Sequence, residues 1–335
     1  MLPSEEWFGE GTAFGSTGGL AAALLEMAAD ALPGPPRRRR GEAPVSALQR
    51  VAGALVTDPL RQMPGAPVDV LESFRRLEEL LASDDRDALR RRRMSERLRE
   101  AMERGIGAMY QPIVELGSGR IAGVEALARF REGSPRQWFR DAAAVGLRER
   151  LEVAAAREAM AGLPRLPSGG YISLNISPAT LLRRDIVALL TAPAPGRVVV
   201  EMTEDDLSDA YTWLIPPLQP LREAGIRIAI DDAGAGPTSL RHLILFHPDV
   251  IKLDTSLTRG IDHGPARRAL SGALVALARE LGATVVAEGI ETAAELRALR
   301  DLGVTHGQGY LVAPPLRPPI DQRAILTAVA EAVAA

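Results

Sequence analysis

From about residue 108 onward one rhythm governs the chain: short β-rich runs alternate with longer amphipathic stretches. The runs are Met109–Leu116, Gly123–Phe130, Tyr171–Ser177, Arg197–Thr203, Ile226–Asp232, Val250–Asp254, Thr284–Glu288 and Gly307–Val312. Between them lie helix-length segments: Arg140–Met160, Leu207–Glu223, Pro265–Leu281 and Thr292–Leu302. Strands joined by helical crossovers pair in parallel, and eight of them predict a (β/α)8 barrel. A doubly wound sheet is the alternative, but no Gly-rich dinucleotide turn follows the first run.

What ends each run carries the chemistry. Glu125 follows Gly123-Val124, Asn175 follows Ile172-Ser173-Leu174, and Glu201 follows Val198-Val199-Val200 with Glu204 three residues on. Asp231-Asp232 follow Ile228-Ala229-Ile230, Lys252 follows Val250-Ile251, and Glu288 follows Val285-Val286-Ala287 with Glu291 after it. Gln308 and Tyr310 sit in the last run. Taken singly, each has a plainer role. Glu125 can start a helix, Asp231 can cap one, and Asn175 before Ser-Pro can be a turn residue. Their recurrence at successive strand ends is what points to function, because a barrel gathers those ends at one mouth. Carboxylates crowded there repel one another unless cations neutralise them.

Composition narrows the cation. The 335 residues include no cysteine and only four histidines, so a thiolate nucleophile and a Cys-based zinc or iron–sulfur site are excluded. Oxygen ligands without Cys or His favour a hard ion, Mg²⁺ or Mn²⁺. Five or six such ligands exceed what one Mg²⁺ takes from protein, which implies two ions and suits phosphodiester hydrolysis. The formal net charge of −3 argues against DNA as a partner. Lys252 is the sole lysine and Asn175 the sole asparagine. Codon bias explains the scarcity, but not why both survivors fall at strand ends in the expected site. An ammonium is a compact donor that a guanidinium does not replace.

From about Met94 to Val333 the chain resembles the EAL domain of bacterial cyclic di-GMP phosphodiesterases. Glu125-Ala126-Leu127 with Arg129 is the naming motif, and Tyr110-Gln111-Pro112-Ile113 resembles the family's opening strand. Leu174-Asn175-Ile176-Ser177-Pro178, Glu201-Met202-Thr203-Glu204, Asp231-Asp232, Ile251-Lys252-Leu253-Asp254, Ala287-Glu288-Gly289-Ile290-Glu291-Thr292 and Gln308-Gly309-Tyr310-Leu311 follow in the family's order. The resemblance implies a TIM-like barrel whose first strand runs antiparallel to the others. It implies Glu125, Asn175, Glu201, Asp231 and Asp232 as ligands of Mg²⁺ or Mn²⁺, two ions to a site. It implies Lys252 beside the attacking water or hydroxide, Glu288 as the general base or as the residue that orients the metal-bound water, and Gln111, Leu127, Arg129, Glu291 and Gln308 on the dinucleotide. Glu204 would anchor the loop after Asp232. The activity implied is hydrolysis of cyclic di-GMP to the linear 5′-phosphorylated GpG, by a homodimer. A non-catalytic cyclic di-GMP receptor is the other reading, and an unrelated metal-dependent barrel enzyme leaves the ordered motifs unexplained.

One loop departs from the family pattern. Ala233-Gly234-Ala235-Gly236-Pro237-Thr238-Ser239-Leu240 stands where the family has Phe-Gly-Thr-Gly-Tyr-Ser-Ser-Leu, so two aromatics are lost while Pro237 fixes a φ angle. Rate and regulation are the properties this change touches.

The first hundred residues differ in character. Helical patterns at Leu20–Leu32, Val45–Leu55 and Val68–Leu81 are set among Gly- and Pro-rich stretches, with Pro33–Glu42 reading as an exposed linker. The runs Arg37–Arg40 and Arg90–Arg93 read as solvated faces and linker, since residues 1–100 carry 15 Arg against 16 Asp and Glu. Residues 1–93 are expected to form a mainly helical regulatory or dimerising region, where a regulatory partner would bind, and 94–335 the EAL phosphodiesterase domain. With neither a signal peptide nor 18 consecutive uncharged apolar residues, a membrane span is not expected and the cytoplasm is the expected location.

Overall fold

The computed structural model describes residues 87–334, except 168, 194, 204–210 and 235–239. The helical patterns expected before residue 82, the linker, Arg37–Arg40, Glu204 and the altered loop from Ala235 to Ser239 therefore lie outside the described residues. Arg90–Arg93 lies in a helix over 87–104 and is exposed along its length.

The unit Met94–Ala335 holds a closed barrel of eight strands in sequential order. These are β1 (Gly107–Glu115), β2 (Ile121–Arg129), β3 (Tyr171–Asn175), β4 (Val198–Thr203), β5 (Arg227–Ala233), β6 (Val250–Leu253), β7 (Thr284–Ala287) and β8 (His306–Gly307). β2 through β8 pair in parallel, while β1 is antiparallel to both β2 and β8. The antiparallel first strand implied by the resemblance is thus present, and the all-parallel pattern read from the rhythm alone is corrected. The residues between β1 and β2 are the reason. Gly117 to Arg120 make a tight turn closed by the Gly119 amide on Glu115 O, too short for the crossover that parallel pairing requires.

Side chains alternate across a strand, so every second residue points into the barrel. Ile113, Tyr171, Val199, Ala229, Val250 and Val286 form a closed apolar cluster there. Two residues further along β4, β5 and β6 the same inward face carries Glu201, Asp231 and Lys252. The barrel is therefore plugged by hydrocarbon below and lined with charge above. The outer faces of the strands pack against the helices in a larger apolar core.

Local signals set the helix bounds. The helix Pro265–Leu281 has Pro at its first position and ends at Gly282 with φ +71°, a left-handed cap that a glycine adopts without strain. Leu274, Val275 and Ala278 turn inward on it, the two larger chains contributing about 1.5–3 kcal/mol each by burial. Ala293–Asp301 starts at a capping box, with Thr292 and Glu295 bonding each other's backbone amides.

Two expectations need correction. The segment Arg140–Met160 is not one helix but parts of two, Pro135–Ala144 and Arg148–Ala161, broken where Gly146 takes φ +68°. The last run, Gly307–Val312, keeps only Gly307 as strand. Beyond it the chain bonds to the Ile290 loop instead, through Ile290 N to Gln308 O at 3.1 Å and Leu311 N to Ile290 O at 3.0 Å. The approach is so close that a Cβ at Gly309 would lie 2.2 Å from the Ile290 backbone. Among the described residues no helix is long and apolar enough to cross a membrane.

Candidate active site

Strand register assembles the polar mouth. Gln111 stands opposite Glu125 across β1 and β2, Glu125 beside Ser173, Asn175 beside Glu201, and Thr203 beside Asp231. From β6 the Lys252 side chain, 1% exposed, extends into the middle of this ring. Its Nζ lies 2.6 Å from Glu288 Oε1, 3.0 Å from Glu201 Oε2, 3.2 Å from Asp231 Oδ1 and 3.5 Å from Glu125 Oε2. Four carboxyl groups converge on one ammonium, which neutralises only one of them.

Neutral donors complete the cluster. Asn175 Nδ2 donates to Glu125 Oε1 at 3.0 Å, and Gln308 Nε2 donates to Glu125 Oε2 at 2.7 Å and to Glu288 Oε1 at 3.2 Å. Ser173 Oγ donates to Glu201 Oε1 at 2.5 Å. These bonds hold the acids in fixed positions, and their charges respond to them unequally. Burial pushes the Glu201 carboxyl well above the usual range, against the pull of Lys252. Burial also pushes Glu288 up to about 8, with Lys252 opposing it only in part. At Glu125 burial raises the value too, but Lys252, Gln308 and Asn175 outweigh it and leave it below the ordinary one. Lys252 is held well above its usual value because its carboxylates outweigh the burial that opposes its charge.

The donor set fits hard cations. Every candidate ligand is an oxygen, and one carboxyl oxygen each from Asp231, Asp232 and Glu288 lie within 4.8 Å of one another. Gln308 Nε2 faces the acids, while its Oε1 is buried without a hydrogen-bond partner. Asp232 has φ +58°, a strained conformation for a residue other than glycine, and its amide donates to Asp231 Oδ1 at 3.0 Å. Strand alternation alone would send these two consecutive acids to opposite faces, whereas across this kink both bring a carboxyl oxygen to the same site.

Above the cluster opens a cleft of about 320 Å³. Gln111, Glu291 and Gln308 line it together with Glu125, Asp231 and Glu288. Leu127 and Arg129 do not join that wall. They line an adjacent, mainly apolar cleft of about 220 Å³ with Phe139 and Asn175, and Arg129 Nη1 donates to Ala128 O at 3.0 Å. Asn175 thus borders this second cleft while its amide reaches the acids.

Several contributors escape a reading of strand ends. Ser173 lies two residues before Asn175, so period-two alternation already places it on the same face. Glu152 is a buried acid on the helix Arg148–Ala161, where no local signal marks it. Its Oε2 accepts from Ser177 N at 3.0 Å and Ser177 Oγ at 2.7 Å, and its Oε1 from Arg148 Nε at 2.7 Å. It fixes the turn just beyond Asn175. Glu295 is visible in sequence as half of a capping box, but it also accepts from Gly260 N at 2.9 Å and Glu291 N at 3.0 Å. Arg259 pairs with Glu291 at the rim of the larger cleft.

Comparisons with known proteins agree with this geometry. Residues 95–315 match the family model described as the EAL domain. The chain is similar to the probable cyclic di-GMP phosphodiesterase PdeB of Escherichia coli, 34% identical over 235 residues covering 66% of this chain and 45% of that protein. It is similar to the cyclic di-GMP phosphodiesterase NbdA of Pseudomonas aeruginosa, 33% identical over 239 residues covering 67% of this chain and 30% of that protein. The chain thus spans less than half the length of either relative. Among solved structures, the manganese and cyclic di-GMP complex of Klebsiella pneumoniae BlrP1 at pH 6 is 34% identical with TM-score 0.59, covering 63% of this chain and 56% of that one. The cyclic di-GMP complex of the PaMucR phosphodiesterase is 29% identical with TM-score 0.59, covering 68% of this chain and 98% of that one.

Proposed function

We propose, from the premise that this chain belongs to the EAL domain family, that it hydrolyses cyclic di-GMP to linear 5′-phosphorylated GpG. The observation that carries the reading is the convergence of four buried or half-buried carboxyls on the Lys252 ammonium at the barrel mouth. A binding module has no need for so costly a cluster, since each desolvated charge must be matched.

In this reading water attacks one phosphorus of the cyclic dinucleotide. The new P–O bond forms as the P–O3′ bond breaks, the water gives up a proton, and the leaving 3′ oxygen gains one. Glu125, Asn175, Glu201, Asp231 and Asp232 would hold two Mg²⁺ or Mn²⁺ ions, which neutralise phosphate charge and lower the proton affinity of water. Glu288 accepts the water's proton. Its value near 8 in the bare protein means that added positive charge is needed to keep it ionised at neutral pH. Lys252 donates a hydrogen bond to the attacking oxygen or to the phosphate as negative charge develops. Gln308 bonds both Glu125 and Glu288, so it keeps the base registered against the ligand set.

Leu127 and Arg129 would hold part of the dinucleotide in the smaller cleft, while Gln111, Glu291 and Gln308 face it in the larger one. Arg129 offers a fork for a phosphate or a guanine edge. Glu204 would anchor the loop that follows Asp232. Residues 1–93 would regulate or dimerise the 94–335 domain, and the protein would act as a homodimer in the cytoplasm.

The test is to incubate the full chain with cyclic di-GMP and Mn²⁺ or Mg²⁺ and separate the products. Linear pGpG, dependent on the ion, supports the reading. Binding without product would leave a receptor.

A further inference from the structure

The reacting cluster lies at the bottom of the larger cleft, and the rim carries a second arrangement with different chemistry. Arg259, Glu291 and Tyr310 all line that cleft. Among its described lining residues Arg259 is the one cation, facing Glu125, Asp231, Glu288 and Glu291. Tyr310 is 69% exposed, an aromatic ring left in water beside the mouth.

The backbone beneath these side chains is held firmly. Arg259 N donates to Thr255 O at 2.9 Å, and the next amide, Gly260 N, donates to Glu295 Oε1 at 2.9 Å. The other oxygen of Glu295 accepts from Glu291 N and Thr292 N, both at 3.0 Å. One buried carboxylate therefore ties together the two loops that carry Arg259 and Glu291. The ion pair above it is open to solvent on both sides, with 59% and 42% of the side chains exposed. Such a pair is weak and is readily exchanged for a ligand that satisfies both members.

Guanine is such a ligand. Its O6 and N7 are adjacent acceptors that match a guanidinium fork, and its N1–H and N2–H are adjacent donors that match a carboxylate. Its face stacks on an aromatic ring. Adenine presents an amino donor where guanine has O6, which a guanidinium opposes. We infer that Arg259 is a specificity-determining residue that reads the O6/N7 edge of one guanine of the dinucleotide, with Tyr310 beneath the base. This rests on the cyclic di-GMP reading above, and it adds a base-reading role to a residue outside the acid cluster.

The test is equilibrium binding of cyclic di-GMP and cyclic di-AMP to the full chain in calcium, for the natural protein, Arg259→Ala and Arg259→Lys. The natural protein should prefer the guanine dinucleotide. Arg259→Ala should weaken cyclic di-GMP binding by about tenfold or more while leaving cyclic di-AMP within about twofold. Arg259→Lys should recover only part of the preference, because it keeps the charge and loses the fork. Equal losses for both dinucleotides would assign Arg259 to a phosphate and overturn the proposal, as would no loss for either. A natural protein that binds cyclic di-GMP but forms no linear product overturns the hydrolytic reading alone, and the binding ratio still decides Arg259. A natural protein that binds neither dinucleotide overturns both.

Discussion

Lys252 Nζ and Glu288 Oε1 face each other at 2.6 Å, the shortest of four contacts that the single ammonium makes with carboxyl groups. The pair joins a fixed positive charge to a carboxyl that burial pushes up to about 8. A proton donor and a proton acceptor are thus held side by side before any substrate arrives.

Lys252→Arg should therefore abolish most turnover, by about 100-fold or more in kcat, while cyclic di-GMP still binds. A guanidinium keeps the charge but cannot place one compact donor among four carboxyls. Steady-state kinetics and equilibrium binding on the same preparation check this, and equal kcat in both proteins would remove Lys252 from the reaction.

The raised values of Glu201 and Glu288 set the pH dependence of the metal-free protein. In the unfolded chain both ionise near 4.5, whereas in the fold Glu201 lies well above that and Glu288 near 8. Between these values the folded state holds protons that the unfolded chain has released. Stability is therefore fullest below about 4.5 and falls as pH rises toward 8, by up to about 1.4 kcal/mol per pH unit for each group. Glu125, lowered, and Lys252, raised from 10.5, act outside that window. Melting temperature should fall from pH 5 to pH 8 without metal, and Mn²⁺ should restore most of it at pH 8. A flat profile would contradict the account.

Glu152→Ala should cost about 2–3 kcal/mol, because the amide and hydroxyl of Ser177 lose their buried acceptor together. The turn after Asn175 then loosens, so the Mn²⁺ concentration needed for half-saturation should rise. Thermal melts with a metal titration separate the two effects. An unchanged titration would confine Glu152 to stability.

Deleting residues 1–93 should alter oligomeric state or turnover. Light scattering and kinetics on the 94–335 unit read both, and no change in either would deny the segment its regulatory role.

The sequence showed the inward-facing acids because barrel geometry turns a linear pattern into a ring. An apolar run that ends in a polar residue places that residue at the mouth, so Glu125, Asn175, Glu201, Asp231, Lys252 and Glu288 could be read without coordinates. Helix bounds at Pro265 and Thr292 were equally legible, since proline and the capping box act locally. What escaped depends on contacts between distant segments. The Ile290 loop captures residues that would otherwise extend β8. Glu152 lies 25 positions from Ser177, and Arg259 lies 32 from Glu291, so neither pairing leaves a local trace.

The central claim is that the cluster around Lys252 directs water onto phosphorus. Its most direct test is a single turnover of cyclic di-GMP by the full chain with Mn²⁺ in heavy-oxygen water, followed by mass spectrometry of the product. The account predicts linear pGpG carrying one heavy oxygen on its terminal phosphate. Intact cyclic di-GMP, or a linear product without the label, would contradict it.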